Sequence, residues 1–273
     1  LEYVKEKVFG IDFDDKSVRV SRMLNIIAGD GHTNVLNLNS LDFDRWEETT
    51  KDEDWQDIYF DGWRRLKKLR ENKTSDKSYE FDIVMANPPF AGDIKESRIL
   101  HRYELGKNAS GKFQSKVGRD ILFIERNLEM LKSGGRMAVV LPQGRFNNSS
   151  DKYIRDYIAS KCRILAVVGL HGNVFKPHTG TKTSVLIVQK WDNELCPKKE
   201  DYPIFFATMQ KLSKDNSGEK IYVKNEDGTN KLDSHDHLIV DHDLYNHDGL
   251  TQDGIAEAFL EFAKKEELSF SGK

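Results

Sequence analysis

Asn87-Pro88-Pro89-Phe90 sets an amide, a carbonyl and an aromatic ring on four consecutive residues. The Asn87 side-chain oxygen and the Pro88 carbonyl are both acceptors, and together they can take the two hydrogens of one exocyclic NH2. Phe90 can stack on the ring that bears it. Such a set suits a planar, amino-bearing base. Drawing the two hydrogens out of the ring plane returns the lone pair to nitrogen, and direct in-line transfer to that nitrogen needs orientation more than a strong base.

The elements around this tetrapeptide explain its placement. Phe81–Ala86 has strand character, and two prolines cannot donate to a sheet ladder, so the strand ends there. The residue before a proline is held extended, which keeps Asn87 at the strand's carboxyl edge. In open parallel sheets, ligands bind at that edge. Upstream, Lys7–Asp12 reads as a short buried strand. Asp15 is placed to cap a helix with apolar positions at Val18, Val20, Met23, Leu24 and Ile27, closed by Gly29-Asp30-Gly31. Val35–Leu38 is a second strand, completing a βαβ pattern. Downstream, the periodicity predicts a helix over 120–131 and a Gly134-Gly135 stop. Strands follow at 136–142, 164–170 and 185–188, with a helix near 150–161 between the first two. Pro203–Ala207 is one more candidate strand. Ile255, Phe259, Phe262 and Ala263 stripe a final helix over 255–267, able to dock on the domain or on a partner.

Asn-Pro-Pro-Phe after a strand resembles motif IV of amino-group methyltransferases, the N6-adenine DNA enzymes above all. The helix, Gly134-Gly135 and the strand ending in Leu141-Pro142 resemble that family too. So does Gly180-Thr181-Lys182-Thr183 before a strand, as in type I restriction–modification modification subunits. The resemblance implies an α/β, Rossmann-like S-adenosylmethionine-dependent methyltransferase fold, a mostly parallel sheet with helices on both faces. It implies Asn87, Pro88 and Phe90 as catalytic residues and Phe175 as the ring facing the flipped base from the side opposite Phe90. Asp12, ending the first strand, would hold the cofactor ribose, as a carboxylate does in dinucleotide sites. Leu38-Asn39-Ser40-Leu41 stands where the family usually has Gly-Asp-Ser-Leu, so Asn39 and Ser40 would lie on the adenine side of the cofactor, with Asp42 a nearby substitute. The fold's first strand and Gly-rich loop are absent from the chain, since no Gly-x-Gly precedes Asp12. The expectation is that this chain alone binds S-adenosylmethionine weakly or not at all. The catalytic domain spans 1–192, with a C-terminal extension over 193–273. DNA, a specificity subunit and a restriction subunit are the implied partners. The alternatives are an RNA or protein-glutamine methyltransferase, where Tyr is more usual than Phe after the prolines, and a non-catalytic scaffold that binds DNA or a specificity subunit.

Composition narrows the partners. The chain has 273 residues with 42 basic against 45 acidic, a net −3, so no global basic field attracts nucleic acid and any DNA contact is local or supplied by a partner. Residues 91–119 hold seven basic against three acidic residues. Arg98, Arg102, Lys107, Lys112 and Lys116 are candidate DNA-backbone contacts on a Gly-punctuated loop, either a lid or a floppy excursion. Trp63–Arg70 is either a nucleic-acid surface or a helix packing Trp63, Leu66 and Leu69 with its basic face in water, the latter favoured. His235, His237, His242 and His247 match no metal spacing, and His171 and His178 read as polar turn residues. Cys162 and Cys196 fit a reducing cytoplasm. No apolar run approaches the roughly 20 residues a membrane span needs. Leu1-Glu2-Tyr3-Val4-Lys5 is neither a signal peptide nor an initiator start, as expected of a piece of something longer.

Overall fold

The computed structural model describes residues 2–29, 34–251 and 254–271. The chain gathers into two compact units. The first comprises residues 1–84 and 91–135, the second residues 85–90 and 136–273. The C-terminal stretch from 193 therefore belongs to the same unit as residues 136–192.

The first unit opens with α1 (Glu2–Lys7), β1 (Gly10–Asp12), α2 (Asp15–Ile27) and β2 (Val35–Asn37). β1 and β2 pair in parallel, with Gly10, Ile11 and Asp12 opposite Val35, Leu36 and Asn37, which is the βαβ unit expected. Three details differ from the sequence reading. The strand expected from Lys7 starts at Gly10, because Lys7 closes α1, and its residues are not buried. Asp14, not Asp15, caps α2: its carboxylate accepts from the Ser17 backbone N–H at 2.8 Å, and Asp15 is already the first helical residue. Of the apolar positions on α2 only Val18 is buried. Val20, Met23, Leu24 and Ile27 are each at least half exposed, since no described element covers that face. The Asp30-Gly31 part of the expected helix stop lies outside the described residues.

A 3-10 helix (Ser40–Arg45), α3 (Trp46–Thr49) and α4 (Glu53–Lys67) follow. α4 starts where the Asp52 carboxylate accepts from Trp55 N–H at 2.9 Å. Trp46, Trp55, Trp63 and Leu66 are buried and Leu69 half-buried, so these three indoles are not open for base stacking. Arg64, Lys67 and Lys68 are exposed, while Arg65 donates to Asn34 at 2.7 Å and Arg70 to both Asp76 oxygens at 2.7 and 2.6 Å. After β3 (Phe81–Ala86) come β4 (Asp93–Ile94), α5 (Ser97–Leu100), β5 (Val117–Gly118) and α6 (Arg119–Met130). β4 and β5 pair antiparallel. The stretch 91–119 is thus a folded excursion and not a floppy loop. Leu100, Tyr103 and Leu105 are fully buried, and the Glu125 carboxylate on α6 accepts from the backbone N–H groups of Glu104 and Leu105, both at 2.8 Å.

The interior of this unit encloses a charge. Arg126 on α6 is fully buried, its guanidinium 4.6 Å from the Phe43 ring, 5.2 Å from Trp46 and 6.0 Å from Tyr79. It donates to the carbonyls of Lys77 at 2.5 Å and Asp76 at 2.9 Å. A buried guanidinium is tolerated only where rings and acceptors replace water. Beside it, burial pushes the Glu129 carboxyl up to about 7.

β6 (Leu131–Pro142), like β3, passes from the first unit into the second. The second unit then holds α7 (Gly144–Asn147), α8 (Lys152–Lys161), β7 (Cys162–Gly169), β8 (Thr183–Lys190), β9 (Phe205–Thr208) and α9 (Ile255–Lys265). The five-stranded sheet has the order β3-β6-β8-β7-β9. β8 runs antiparallel to both β6 and β7, while β7 and β9 pair in parallel, so β6, β7 and β9 share one direction and β8 alone opposes them. The residue alternation of β6 and the double-sided burial of β7 follow from this central position. α9 docks on its own unit: Ala263 and Leu268 pack with Leu165 of β7, and Phe259 and Phe262 pack on Phe205 of β9. Among the described residues, no helix is long and apolar enough to cross a membrane.

Candidate functional site

The second unit carries the amide, carbonyl and rings. β3 ends at Ala86, and the two prolines follow, so Asn87 stands just past the strand's carboxyl end. Asn87 is exposed, Pro88 is buried and Phe90 is half-buried. The Asn87 side chain and the Pro88 carbonyl make no hydrogen bond with any described residue, which leaves both acceptors open. Phe175 reaches the same place from the turn between β7 and β8. Its ring lies 5.3 Å from that of Phe90, edge to face at 82°.

The turn bearing Phe175 is built, not loose. Lys176 N–H bonds the Asn173 carbonyl, and His178 and Thr179 N–H both bond the Phe175 carbonyl. Asn173 is buried and donates its side-chain amide to the Lys214 carbonyl at 3.0 Å, and Lys214 Nζ returns to the Lys176 carbonyl at 2.9 Å. Asn173 and Lys214 carry no motif and stand 41 residues apart, so only folding brings them to this turn. His171 accepts from Asn173 N–H through Nδ1 and His178 is exposed, consistent with polar turn residues.

The first unit carries the acidic strand end. Asp12 is exposed at the carboxyl end of β1. One of its oxygens accepts from Asp14 N–H at 2.8 Å. The parallel register sets Asn37 opposite it, and the chain then turns through Asn39 and Ser40. Two indoles fasten this turn: Trp55 donates to the Asn37 carbonyl at 2.9 Å and Trp46 to the Asn39 carbonyl at 2.7 Å. Asn39 Oδ1 accepts from Leu41 N–H at 3.1 Å and so caps the 3-10 helix. Its NH2 makes no hydrogen bond with a described residue and is a free donor. Asp42, the nearby substitute, has both oxygens taken by Arg98, each at 2.6 Å.

The basic residues of 91–119 divide. Arg98 pairs with Asp42, Arg102 with Asp44, and Lys116 with Asp93 at 3.3 Å. Lys107 sits 5.1 Å over the Phe113 ring. Lys112 is exposed and its ammonium has no partner among the described residues. In the second unit, His242 and His247 meet through their Nε2 atoms at 3.1 Å. Burial and the neighbouring imidazole push the His242 pKa down. Among the described residues, no group of three His, Cys, Asp or Glu side chains is placed to hold a metal. Cys162 and Cys196 are free and buried.

Alternating strands and helices with an open Asn-Pro-Pro-Phe corner at a strand's carboxyl end define the class: a Rossmann-like α/β methyltransferase fold. The N-6 DNA Methylase family model matches residues 2–257, and the chain belongs to that family. The methylase subunit of the type I restriction enzyme EcoEI from Escherichia coli is 32% identical over 112 residues, 41% of this chain and 21% of that protein. A solved structure of a type I R-M system superposes with a TM-score of 0.54 at 15% identity, over 81% of this chain and 37% of that one. The DrdV–DNA complex superposes with a TM-score of 0.53 at 13% identity, over 75% and 22%. The chain spans about a fifth or less of the length of the curated relatives it matches.

Proposed function

We propose that this chain forms the catalytic part of a site-specific DNA methyltransferase that moves a methyl group from S-adenosylmethionine to N6 of adenine, as in a type I modification subunit. The observation that carries this reading is the Asn87 amide, exposed and unengaged, beside the open Pro88 carbonyl at the end of β3. In this role Asn87 Oδ1 and the Pro88 carbonyl each accept one hydrogen of the N6 amino group. They hold the nitrogen pyramidal, with its lone pair turned out of the ring. Phe90 stacks on the purine and Phe175 borders its other face.

The donor set suits the cofactor. Asp12 keeps one carboxylate oxygen for a diol, and the Asn39 NH2 and Ser40 hydroxyl can meet a purine edge. Bound there, S-adenosylmethionine supplies an electrophilic methyl carbon on a sulfonium that leaves as a neutral thioether. The amino nitrogen therefore needs no deprotonation before transfer, and its extra proton passes to water afterwards, while Asn87 and Pro88 keep their acceptor role.

DNA is the proposed partner, with Lys107, Lys112 and Lys116 at its backbone, and specificity and restriction subunits complete the assembly. The near-neutral charge of the chain is consistent with sequence reading by a separate subunit. Two free cysteines support a reducing, cytoplasmic location.

Transfer of labelled methyl to adenine in duplex DNA tests the reading. Asn87→Ala should lower the rate by about a hundredfold or more, the scale for losing one aligned polar contact to the reacting group, without moving the melting temperature. Undiminished transfer by the variant would refute it.

A further inference from the structure

Three side chains of the short stretch Arg98–Tyr103 fasten it to the 3-10 helix that follows Asn39, all within the first unit. The Arg98 fork donates to both oxygens of Asp42 at 2.6 Å, where the 3-10 helix kinks at φ −113° and ψ 50°. Arg102 Nε pairs with Asp44. The buried Tyr103 hydroxyl donates to the Leu41 carbonyl at 2.9 Å, with the Phe43 ring edge-on at 6.3 Å. Leu41, Asp42 and Asp44 are thus each held by a residue from the excursion that begins straight after Phe90. The excursion is anchored in turn by Glu125, whose carboxylate holds the Glu104 and Leu105 amides.

We propose that Arg98, Arg102 and Tyr103 are positioning residues for the cofactor-side turn Asn39–Ser40. This rests on the methyltransferase reading above. Bidentate arginine–carboxylate pairs fix direction as well as distance. The Arg98 fork is filled by Asp42 and has little left to offer a phosphate, and Arg102 spends its Nε on Asp44, so both act on the cofactor turn and not on the DNA backbone. The same strap ties the segment downstream of the Asn-Pro-Pro-Phe corner to the turn that faces the cofactor, so disturbing either loosens the other.

The experiment compares wild type, an Arg98→Ala/Arg102→Ala double variant, Tyr103→Phe and the charge-exchanged pair Asp42→Arg/Arg98→Asp, each in the full methylase polypeptide. Steady-state methyl transfer and the salt dependence of DNA binding are read side by side. The double variant should raise KM for S-adenosylmethionine about tenfold with kcat changed less than about threefold. Tyr103→Phe, which removes one hydroxyl and keeps the packing, should raise KM by about threefold. The exchanged pair should recover most of the wild-type KM. The salt slope of DNA binding should stay as in wild type, because a lost phosphate contact lowers it by roughly 0.9 per site. An unchanged KM in Tyr103→Phe and in the double variant would overturn the proposal, as would a salt slope reduced by about two sites in the double variant. A wild-type enzyme that transfers no methyl to adenine would refute the underlying reading, and the positioning role with it.

Discussion

Phe90 and Phe175 meet edge to face, with ring centroids 5.3 Å apart and planes at 82°. A flat base held between two rings needs them parallel and roughly 7 Å apart, two stacking distances. Meeting edge to face, the two rings leave no such gap, so on the proposed reading Phe175 turns aside as a base enters. Its turn, tied down by Asn173 and Lys214, leaves that motion to the side chain.

Truncating either ring should separate their roles. Base–aromatic stacking contributes about 1–3 kcal/mol per base. Phe90→Ala should lower kcat/KM for methyl transfer by about 10- to 100-fold. Phe175→Ala should lower it less, because the variant loses one stacking face and also the ring that must be displaced. Equal losses in the two variants would show that the displacement carries no cost.

Asp12 should contribute to cofactor affinity alone. On the proposed reading, Asp12→Ala removes the carboxylate that accepts from the cofactor's ribose hydroxyls, and hydrogen bonds to charged groups contribute about 1.5–3 kcal/mol each. Titration calorimetry of the full polypeptide should show S-adenosylmethionine bound at least about tenfold more weakly, with DNA affinity unchanged. Because Asp14 and not Asp12 caps α2, the melting temperature should move little.

Gly106 tests how firmly the 91–119 excursion is folded. A Cβ there would lie 2.2 Å from the Leu100 carbonyl oxygen, a backbone atom that cannot swing away. Gly106→Ala should destabilise the excursion by about 2–4 kcal/mol. Limited proteolysis should then cut between 97 and 118 well before the rest of the chain opens.

Glu129 should give the first unit a pH-dependent stability. Burial, its main cause, raises its pKa from the ordinary 4.5 to about 7, with the Arg126 guanidinium and Lys77 opposing and Glu125 adding to the rise. The folded state therefore binds more protons than the unfolded one between these values. Stability on this account is greatest below about pH 4.5, falls as pH rises, and is fully diminished above about pH 7. The loss should be of order 1–3 kcal/mol. Denaturant titrations at pH 5.5 and 8 measure it, and Glu129→Gln should flatten that part of the profile.

Much of the architecture was legible because strong local signals agreed with the tertiary outcome. Phe81–Ala86 ended at the prolines, Arg119–Met130 formed the helix its periodicity required, and Ile255–Lys265 turned its apolar stripe inward onto Leu165 and Phe205. The failures have physical causes. Asp14 outcompeted Asp15 as cap because several adjacent acids could serve, and the backbone angle at entry chose between them. Hydrophobic periodicity on α2 promised burial that depends on a covering element, which no described residue supplies. Net positive charge in 91–119 said nothing of the aspartates at 42 and 44, more than fifty residues away, that accept Arg98 and Arg102.

The sequence alone determined the chemistry at the corner, since consecutive prolines dictate where a strand stops and which group precedes them, whatever the rest of the chain does. Tertiary structure decided which of those groups stay open and which are spent. Asn87 was left free, Asp42 was taken by Arg98 from 56 residues on, and Phe175 was brought against Phe90 from a turn 85 residues on. Local rules act over a few bonds, whereas a hydrogen bond or ring contact is settled only when distant segments arrive at the same place.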